Sequence, residues 1–250
     1  MNELDLMRVR ADTLFAHNAA GRMIASNEPS GRPAPRLFLE RTTGGYVFRF
    51  GEAVSDRLAE ELSARIARLP LPGDPCAPVP EDAALRVALE REAPVVREGG
   101  GPAYRFPALA PGTPFTRGTP GPTGATAIAA LSDDLAAVDE GNAWLLRWTF
   151  PGLDGEIGAR QPCFAVVQDG AAVSVCFSSR VGTRATEAGL ETLPHFRGRG
   201  FAVAVTAAWG AAVSRANLIP LYSTSWDNLA SQAVARRLGL VLFGADASWS

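Results

Sequence analysis

The chain has 250 residues, of which 47% are hydrophobic and 20% are charged, a composition typical of a globular enzyme. Its formal charge of -2 argues against a partner that needs a strongly basic surface, such as nucleic acid or an anionic membrane. All 24 basic residues are arginine. The absence of lysine excludes a Schiff-base lysine, a P-loop lysine and a lysine that anchors pyridoxal phosphate.

The cysteines and the N-terminus predict a location. Cys76, Cys163 and Cys176 have no CxxC spacing, so we expect neither a disulfide framework nor a structural zinc site. Small buried thiols in a reducing cytoplasm are the favoured interpretation. The first ten residues lack the apolar stretch of a signal peptide, and the longest apolar run, residues 201–213, is too short to cross a bilayer. We therefore expect a cytoplasmic protein without metal ligands.

The first half of the chain predicts an α+β portion. Apolar spacing predicts a first helix, β-rich runs predict three short strands, and Ser55 is placed to cap a second helix. The prolines of residues 70–80 predict a loop before a third helix. The predicted ranges are helix 3–19, strands 23–26, 36–41 and 46–50, a helix from 55 to about 69, and helix 81–92.

Residues 107–124 hold five prolines and four glycines, which predicts a linker. A long structured loop over an active site is the alternative. The second half predicts a mixed α/β sheet, in which the turn Asp169-Gly170 joins the first two strands as a hairpin. The predicted ranges are helix 131–150, strands 163–168, 172–179 and 188–193, helix 201–216, strand 220–225, helix 228–238 and strand 240–250.

A glycine-containing loop joins strand 188–193 to helix 201–216. Gly198 and Gly200 let the backbone approach a diphosphate without a Cβ clash, and the first amides of the helix then point at the anion. Arg197 and Arg199 add cationic donors. The loop lacks the Gly-Lys-Ser/Thr ending of a P-loop and does not match GxGxxG. A glycine-rich turn without a ligand is the structural alternative.

The sequence RGRGFA of residues 197–202 fits the signature Arg/Gln-x-x-Gly-x-Gly/Ala and resembles the GCN5-related N-acetyltransferases (GNAT). The resemblance implies a GNAT fold and a loop that binds the pyrophosphate of coenzyme A. It also implies that the backbone of the preceding strand binds the pantetheine arm. The residues assigned in this way are Thr192, Leu193, Arg197, Gly198, Arg199, Gly200, Phe201 and Ala202.

A second motif begins at Asn228, with Gly239 eleven residues later, and resembles the Asn…Gly-Phe motif of the family with Leu240 in place of Phe. The resemblance implies that Asn228 and Ser231 contact the pantetheine or the diphosphate. A plain helix N-cap is the alternative for Asn228. Many family members carry a tyrosine seven residues after this Asn as general acid, and here that position is Ala235.

Both motifs lie in the second half, and we predict three segments. Residues 125–250 form the acetyl-CoA-binding catalytic domain, 107–124 the linker, and 1–106 an α+β portion of undefined fold. The last is either an acceptor-binding domain or a degenerate second copy of the acetyltransferase fold.

Acetyl transfer needs a base for the amine and an acid for the departing thiolate. Glu187 and Glu191 lie four residues apart on one face of the strand before the loop, which makes them candidate bases. A carboxylate paired with Arg180 or Arg184 is the structural alternative for Glu187. Tyr222 is the candidate acid, and an aromatic core residue is its alternative.

The resemblance implies an N-acetyltransferase that moves an acetyl group from acetyl-CoA directly to a primary amine of a small molecule or a protein. No nucleophile motif surrounds a Ser or Cys, and direct attack is also what the resemblance implies. Because Ala235 replaces the usual tyrosine, a catalytically silent acyl-CoA-binding regulatory module is the main alternative. A nucleotide-binding protein that uses the same loop is a weaker one.

Overall fold

The computed structural model describes residues 1–107 and 134–250, which form a mixed α/β structure. Its helices are α1 (Glu3–Leu14), α2 (Asp56–Ile66), α3 (Asp82–Glu90), α4 (Leu153–Glu156), α5 (Phe201–Arg215) and α6 (Leu229–Arg237). Its strands are β1 (Phe15–His17), β2 (Met23–Ser26), β3 (Leu37–Thr42), β4 (Gly45–Phe50), β5 (Glu98–Arg105), β6 (Leu135–Ala137), β7 (Cys163–Gln168), β8 (Ala171–Val181), β9 (Ala185–Thr192), β10 (Ile219–Ser223) and β11 (Val241–Trp249). Three 3-10 turns span Ala143–Leu145, Ile157–Arg160 and Pro194–Phe196. The predicted fold class is confirmed.

The contacts divide the chain into two compact units that alternate along the sequence. Unit one holds Met1–Tyr104, Ser223–Asn228 and Leu242–Ser250, and unit two holds Arg105–Tyr222 and Leu229–Val241. The chain ends in unit one because β11 pairs antiparallel with β3. The domain division into 1–106, 107–124 and 125–250 stays a prediction. Its linker lies outside the described residues from position 108 onward.

In unit one the strand order is β4-β3-β11-β5, and two of the predicted strands, β3 and β4, pair as an antiparallel hairpin. Alternate residues of β3 face different layers because side chains alternate along a strand. Leu37 and Leu39 pack with Trp249 and with apolar residues of α2 and α3. Phe38 packs on the other side with residues of α1 and with Phe15. The sheet of unit one therefore lies between α1 and the α2–α3 pair.

Two helices of unit one test the predicted boundaries. The hydroxyl of Ser55 accepts a hydrogen bond from the amide of Leu58 at 3.2 Å, so the predicted cap of α2 is confirmed. The first helix, predicted to run to residue 19, ends at Leu14. The prediction was wrong beyond that point because Phe15 is extended, with φ -132 and ψ 144, and pairs with Ser26.

In unit two the strand order is β10-β9-β8-β7-β6. The hairpin of β7 and β8 turns through Asp169 and Gly170, whose φ values of 51 and 77 have the sign that a type I′ turn needs. One face of these strands packs against residues 138–157, and the other packs against α5 through side chains that include Val205 and Trp209. The predicted hairpin and the predicted helix after the loop are confirmed.

The helix predicted for residues 131–150 is wrong within the described part, and residues 131–133 lie outside it. Leu135 and the two residues after it form β6, which pairs with β7. The side chain of Asn142 donates to the carbonyl of Ala137 at 2.9 Å and accepts from the amide of Asp139 at 2.8 Å. These local bonds compete with helical ones, and only one 3-10 turn follows.

Strand β9, helix α5 and strand β10 form a βαβ unit, because β10 runs parallel to β9. Eleven residues of α5 are buried. Across residues 1–107 and 134–250, the helices fall short of the length and apolarity that a membrane span requires.

Candidate active site

Strands β9 and β10 pair over three residues and then diverge. The parallel ladder joins Ala185, Thr186 and Glu187 to residues 219–221 of β10. On its other edge, β9 stays paired with β8 as far as Thr192. Within the described residues, the edge of β9 over 188–192 therefore has no strand beside it on the β10 side. An extended ligand can add along such an edge through main-chain hydrogen bonds.

The loop after β9 brings the chain to the N-terminus of α5. Gly198 and Gly200 have φ values of 77 and 85, a region that glycine adopts without a Cβ penalty. A Cβ added at Gly198 would have no heavy atom within 4 Å, so its requirement there is conformational. No side chain caps α5, and its first-turn amides, beginning with Phe201, point out of the helix end. Such an end attracts anions.

Two exposed arginines flank this helix end. The Nε of Arg197 donates to the carbonyl of Thr192 at 3.2 Å. The Nη2 of Arg199 donates to the carbonyl of His195 at 3.2 Å, and its guanidinium lies 5.0 Å from the ring centroid of Phe196. Each guanidinium donates a hydrogen bond to one main-chain carbonyl, and its remaining N–H groups suit a phosphate.

The two strand residues predicted to bind pantetheine have different surroundings. The hydroxyl of Thr192 lies 2.7 Å from the hydroxyl of Ser174 on β8. Leu193 donates its amide to the carbonyl of Val173 at 3.0 Å, and its carbonyl accepts from the amide of Phe196 at 2.9 Å. The amide and the carbonyl of Leu193 are therefore both hydrogen-bonded within the protein main chain. Its predicted contact with pantetheine stays a prediction.

Glu187 and Glu191 lie on the face of β9 that points away from α5. The intervening Ala188 and Leu190 pack in the core that contains α5. Glu187 is 2% exposed and lies opposite Arg180 of β8, whereas Glu191 is exposed. The two predicted bases share a face, as expected, but only Glu187 lies where β9 and β10 diverge.

Tyr222 lies on the opposite face of the sheet from Glu187. Leu221 is the residue of β10 paired with Glu187, and the next side chain along a strand points to the other face. The buried Tyr222 hydroxyl lies 2.6 Å from the hydroxyl of Ser231 and donates to the carbonyl of Ser231 at 3.2 Å. Sequence reasoning named both residues but missed this contact, because no sequence spacing joins β10 to α6.

Ala235 lies one helical turn beyond Ser231 in α6 and is fully buried. Residues four apart share a helix face, so the Tyr222–Ser231 pair lies on the side of α6 that carries Ala235. The hydroxyl of Tyr222, from β10, therefore lies on the same side of α6 as position 235. Gly239 ends α6 with φ 63, and the amide of Leu240 bonds the carbonyl of Ala235 at 3.0 Å.

Asn228 is exposed and belongs to the segment Ser223–Asn228 of unit one. Its amide donates to the carbonyl of Ser225 at 3.2 Å. Its predicted contact with coenzyme A stays a prediction.

The buried thiols of unit two are poor nucleophiles. Burial raises the pKa of Cys163 to about 12 and raises the pKa of Cys176 even further. A thiol attacks as its thiolate, so neither side chain is reactive near neutral pH.

Comparison with known proteins agrees with the motifs. Residues 160–244 match the model of the GNAT acetyltransferase family. The resemblance carried by the two motifs is confirmed. A comparison with curated proteins found no match.

Three solved structures are among those similar to the chain. A GNAT-family protein from Novosphingobium aromaticivorans is 17% identical, covering 62% of this chain and 65% of its own, with a TM-score of 0.47. A GCN5-related N-acetyltransferase-like protein from Streptococcus suis is 18% identical, covering 87% and 85%, with a TM-score of 0.48. An aminoglycoside N-acetyltransferase solved with CoA is 23% identical, covering 44% and 92%, with a TM-score of 0.37. The chain thus spans less than two thirds of the Novosphingobium protein.

Proposed function

We propose that the chain binds acetyl-CoA and transfers its acetyl group directly to a primary amine of a small molecule or a protein. The observation that carries this proposal is the uncapped N-terminus of α5, which two exposed arginines flank. It follows directly after the part of β9 that does not pair with β10. In a GNAT segment this combination fits a ligand with a diphosphate at one end and an extended amide-containing arm at the other.

Each part of acetyl-CoA has a place in this proposal. The diphosphate accepts hydrogen bonds from the amides of residues 198–202 and from the guanidinium groups of Arg197 and Arg199. The pantetheine arm lies along the main chain of residues 188–192. The thioester then lies where β9 and β10 part, near Glu187 and Tyr222.

The proposed reaction needs one proton removed and one supplied. The neutral amine attacks the thioester carbonyl, the C–S bond breaks, and the products are the N-acetylated amine and CoA. Glu187 accepts the proton of the amine, directly or through a water, with Glu191 as the alternative base. Tyr222, held by Ser231, supplies a proton to the thiolate from the other face of the sheet.

The competing proposal is a catalytically silent acyl-CoA-binding regulatory module. It is favoured by Ala235, whose methyl group is buried in α6 at the position of the tyrosine that many family members use. Both proposals share the same loop and differ only in turnover. The free, buried Cys163 and Cys176 are consistent with the cytoplasmic location that we retain for either proposal.

Calorimetry with acetyl-CoA, followed by an amine panel read by thiol release, separates these proposals. Binding with turnover supports the enzyme, and binding without turnover for any amine supports the silent module. Absence of binding at about 1 mM acetyl-CoA overturns both, because a specific site of this kind binds more tightly than that. ATP binding without competition from CoA would instead indicate a nucleotide site.

A further inference from the structure

Strand β8 carries one extra residue opposite the end of the β9–β10 ladder. Ser178 pairs with Ala188 and Arg180 pairs with Glu187, so Ser179 is the inserted residue of a β-bulge. Its hydroxyl donates to the main-chain carbonyl of Glu187 at 3.0 Å. Glu187 is also the last residue of β9 that pairs with β10. The bulge and the divergence of the strands therefore coincide on one residue.

Arg160 holds this bulge from the 3-10 turn that precedes β7. Its Nη1 donates to the carbonyl of Ser179 at 2.8 Å. Its Nη2 and Nε donate to one carboxylate oxygen of Glu156 at 2.6 and 3.1 Å. The guanidinium lies 5.4 Å from the ring centroid of Phe177, and the side chain is only 11% exposed. A planar guanidinium that is hydrogen-bonded along two edges and stacked on one face is held in a single orientation.

The ring under Arg160 also contacts β9. Phe177 pairs with Gly189, and a Cβ added at Gly189 would lie only 2.5 Å from that ring. Only glycine lets β9 approach so closely. Arg160, Phe177 and Gly189 therefore form a stack next to the residue where the strands part.

We propose that Arg160 is a positioning residue that fixes the main chain of Glu187 through the bulge at Ser179. This inference rests on the proposed function, because that function places the thioester and the amine at Glu187. A bulge leaves the inserted residue out of the ladder, so its carbonyl needs another partner. Without Arg160 that carbonyl turns toward water and the Ser179–Glu187 contact shifts. A misplacement of about 1 Å at a reacting group costs about 100-fold in rate.

Arg160→Gln tests the proposal, with Arg147→Gln as the matched control because Arg147 is an exposed arginine of the same segment. We expect kcat to fall about 10- to 100-fold while the acetyl-CoA Kd stays within about threefold, since the loop before α5, which we expect to carry most of the affinity, is untouched. Arg160→Lys keeps one donor for the Ser179 carbonyl and should recover part of the loss. Arg147→Gln should match the wild type.

A double-mutant cycle identifies the route of the effect. If Arg160 acts through Ser179, the effects of Ser179→Ala and Arg160→Gln on kcat are non-additive. Once one substitution has disturbed the bulge, the other has little further effect on the rate. Additive effects, or a rate loss equal to the loss of folded protein by circular dichroism, would overturn the proposal.

Amide hydrogen exchange over residues 187–192 gives a readout that does not need turnover. We expect faster exchange in Arg160→Gln and unchanged exchange in Arg147→Gln. If the wild type turns over and Arg160→Gln has the same exchange rates and the same kcat as the wild type, the role of Arg160 is overturned. The proposed function is then left intact. No acetyl-CoA binding by the wild type, with faster exchange in the variant, overturns the proposed function and supports the positioning of β9.

Discussion

Glu187 and Glu191 are two carboxylates on one face of β9 with different surroundings. Glu187 is buried at the divergence of the strands, so Glu187→Gln keeps the side-chain shape and removes the proposed base. We expect the rate at saturating amine to fall about 100-fold or more, with nearly unchanged acetyl-CoA affinity. The rate should partly recover at high pH, where more of the amine is neutral. Thiol release at pH 7 and pH 9 measures both effects.

Glu191→Gln is the control for this prediction, because Glu191 is exposed and lies nearer the loop. We expect its rate to stay within a few-fold of the wild type. An unchanged rate in Glu187→Gln together with loss of activity in Glu191→Gln would reassign the base. Lower thermal stability of Glu187→Gln with normal turnover would make Glu187 a structural residue.

A buried charge cluster in unit one predicts a pH-dependent stability. Arg10 donates to Glu40 at 2.8 Å and to Asp246 at 2.7 Å. Burial raises the pKa of Glu40 from 4.5 to about 8, Asp246 adds to this shift, and Arg10 and Arg49 oppose it. The folded state therefore binds a proton that the unfolded state releases. Stability from this proton is complete below pH 4.5 and is lost as the pH rises to about 8.

Glu40→Gln removes this titration while keeping the side-chain shape. We expect the free energy of unfolding of the wild type to fall relative to the variant, by up to about 1.4 kcal/mol per pH unit over that window. Urea unfolding at pH 5, 6.5 and 8 measures the slope. Glu52→Gln, at an exposed position, should keep the slope of the wild type. Parallel curves for the wild type and Glu40→Gln would contradict the prediction.

At the scale of elements, the loop before α5 should carry most of the affinity for acetyl-CoA. Arg197→Ala removes a guanidinium beside the uncapped helix end. A charge-assisted hydrogen bond contributes about 1.5–3 kcal/mol, so we expect acetyl-CoA to bind about 10- to 100-fold more weakly. Calorimetry measures the Kd. The loss should exceed that of Glu187→Gln and shrink at high salt.

Arg215→Ala is the matched control, since Arg215 is an exposed arginine at the other end of the same helix. Its removal should leave the Kd within about twofold. Equal losses in both variants would show that overall charge, rather than the loop, binds the coenzyme.

Elements with strong local signals were predictable, and elements that depend on partners were not. The hairpin at Asp169-Gly170 and the Ser55 cap follow from turn and cap chemistry, and the structure has both. Strand β5 was missed because its three glycines and one proline favour a loop. Its glycines instead allow close approach, since a Cβ at Gly100 would lie 2.4 Å from the carbonyl oxygen of Asp246.

At the scale of the whole molecule, unit one depends on the end of the chain. Strand β11 lies between β3 and β5, and Trp249 is 1% exposed in the core with Leu37 and Leu39. A fragment of residues 1–106 lacks this strand. We expect the fragment to show no cooperative unfolding transition by circular dichroism in urea, because its core and the edge of β3 are left open.

The full chain is the reference, and its Trp249→Ala variant extends the test. Removing this buried side chain should cost about 3–5 kcal/mol. Trp148→Ala, at a position that is 86% exposed, should change stability by no more than about 0.5 kcal/mol. Cooperative unfolding of the isolated fragment would show that residues 1–106 fold without β11.

The sequence by itself determined the loop between β9 and α5, because the loop, its glycines and the start of α5 are contiguous and depend on local backbone chemistry. It also placed Glu187 and Glu191 on one face, since strand periodicity is local. Only the tertiary structure decided that β10 leaves β9 at Glu187, that Tyr222 bonds Ser231, and that Arg160 reaches the bulge at Ser179. Each of these contacts joins residues that are distant in sequence. Strand register and side-chain packing bring them together, so no local spacing in the sequence encodes them.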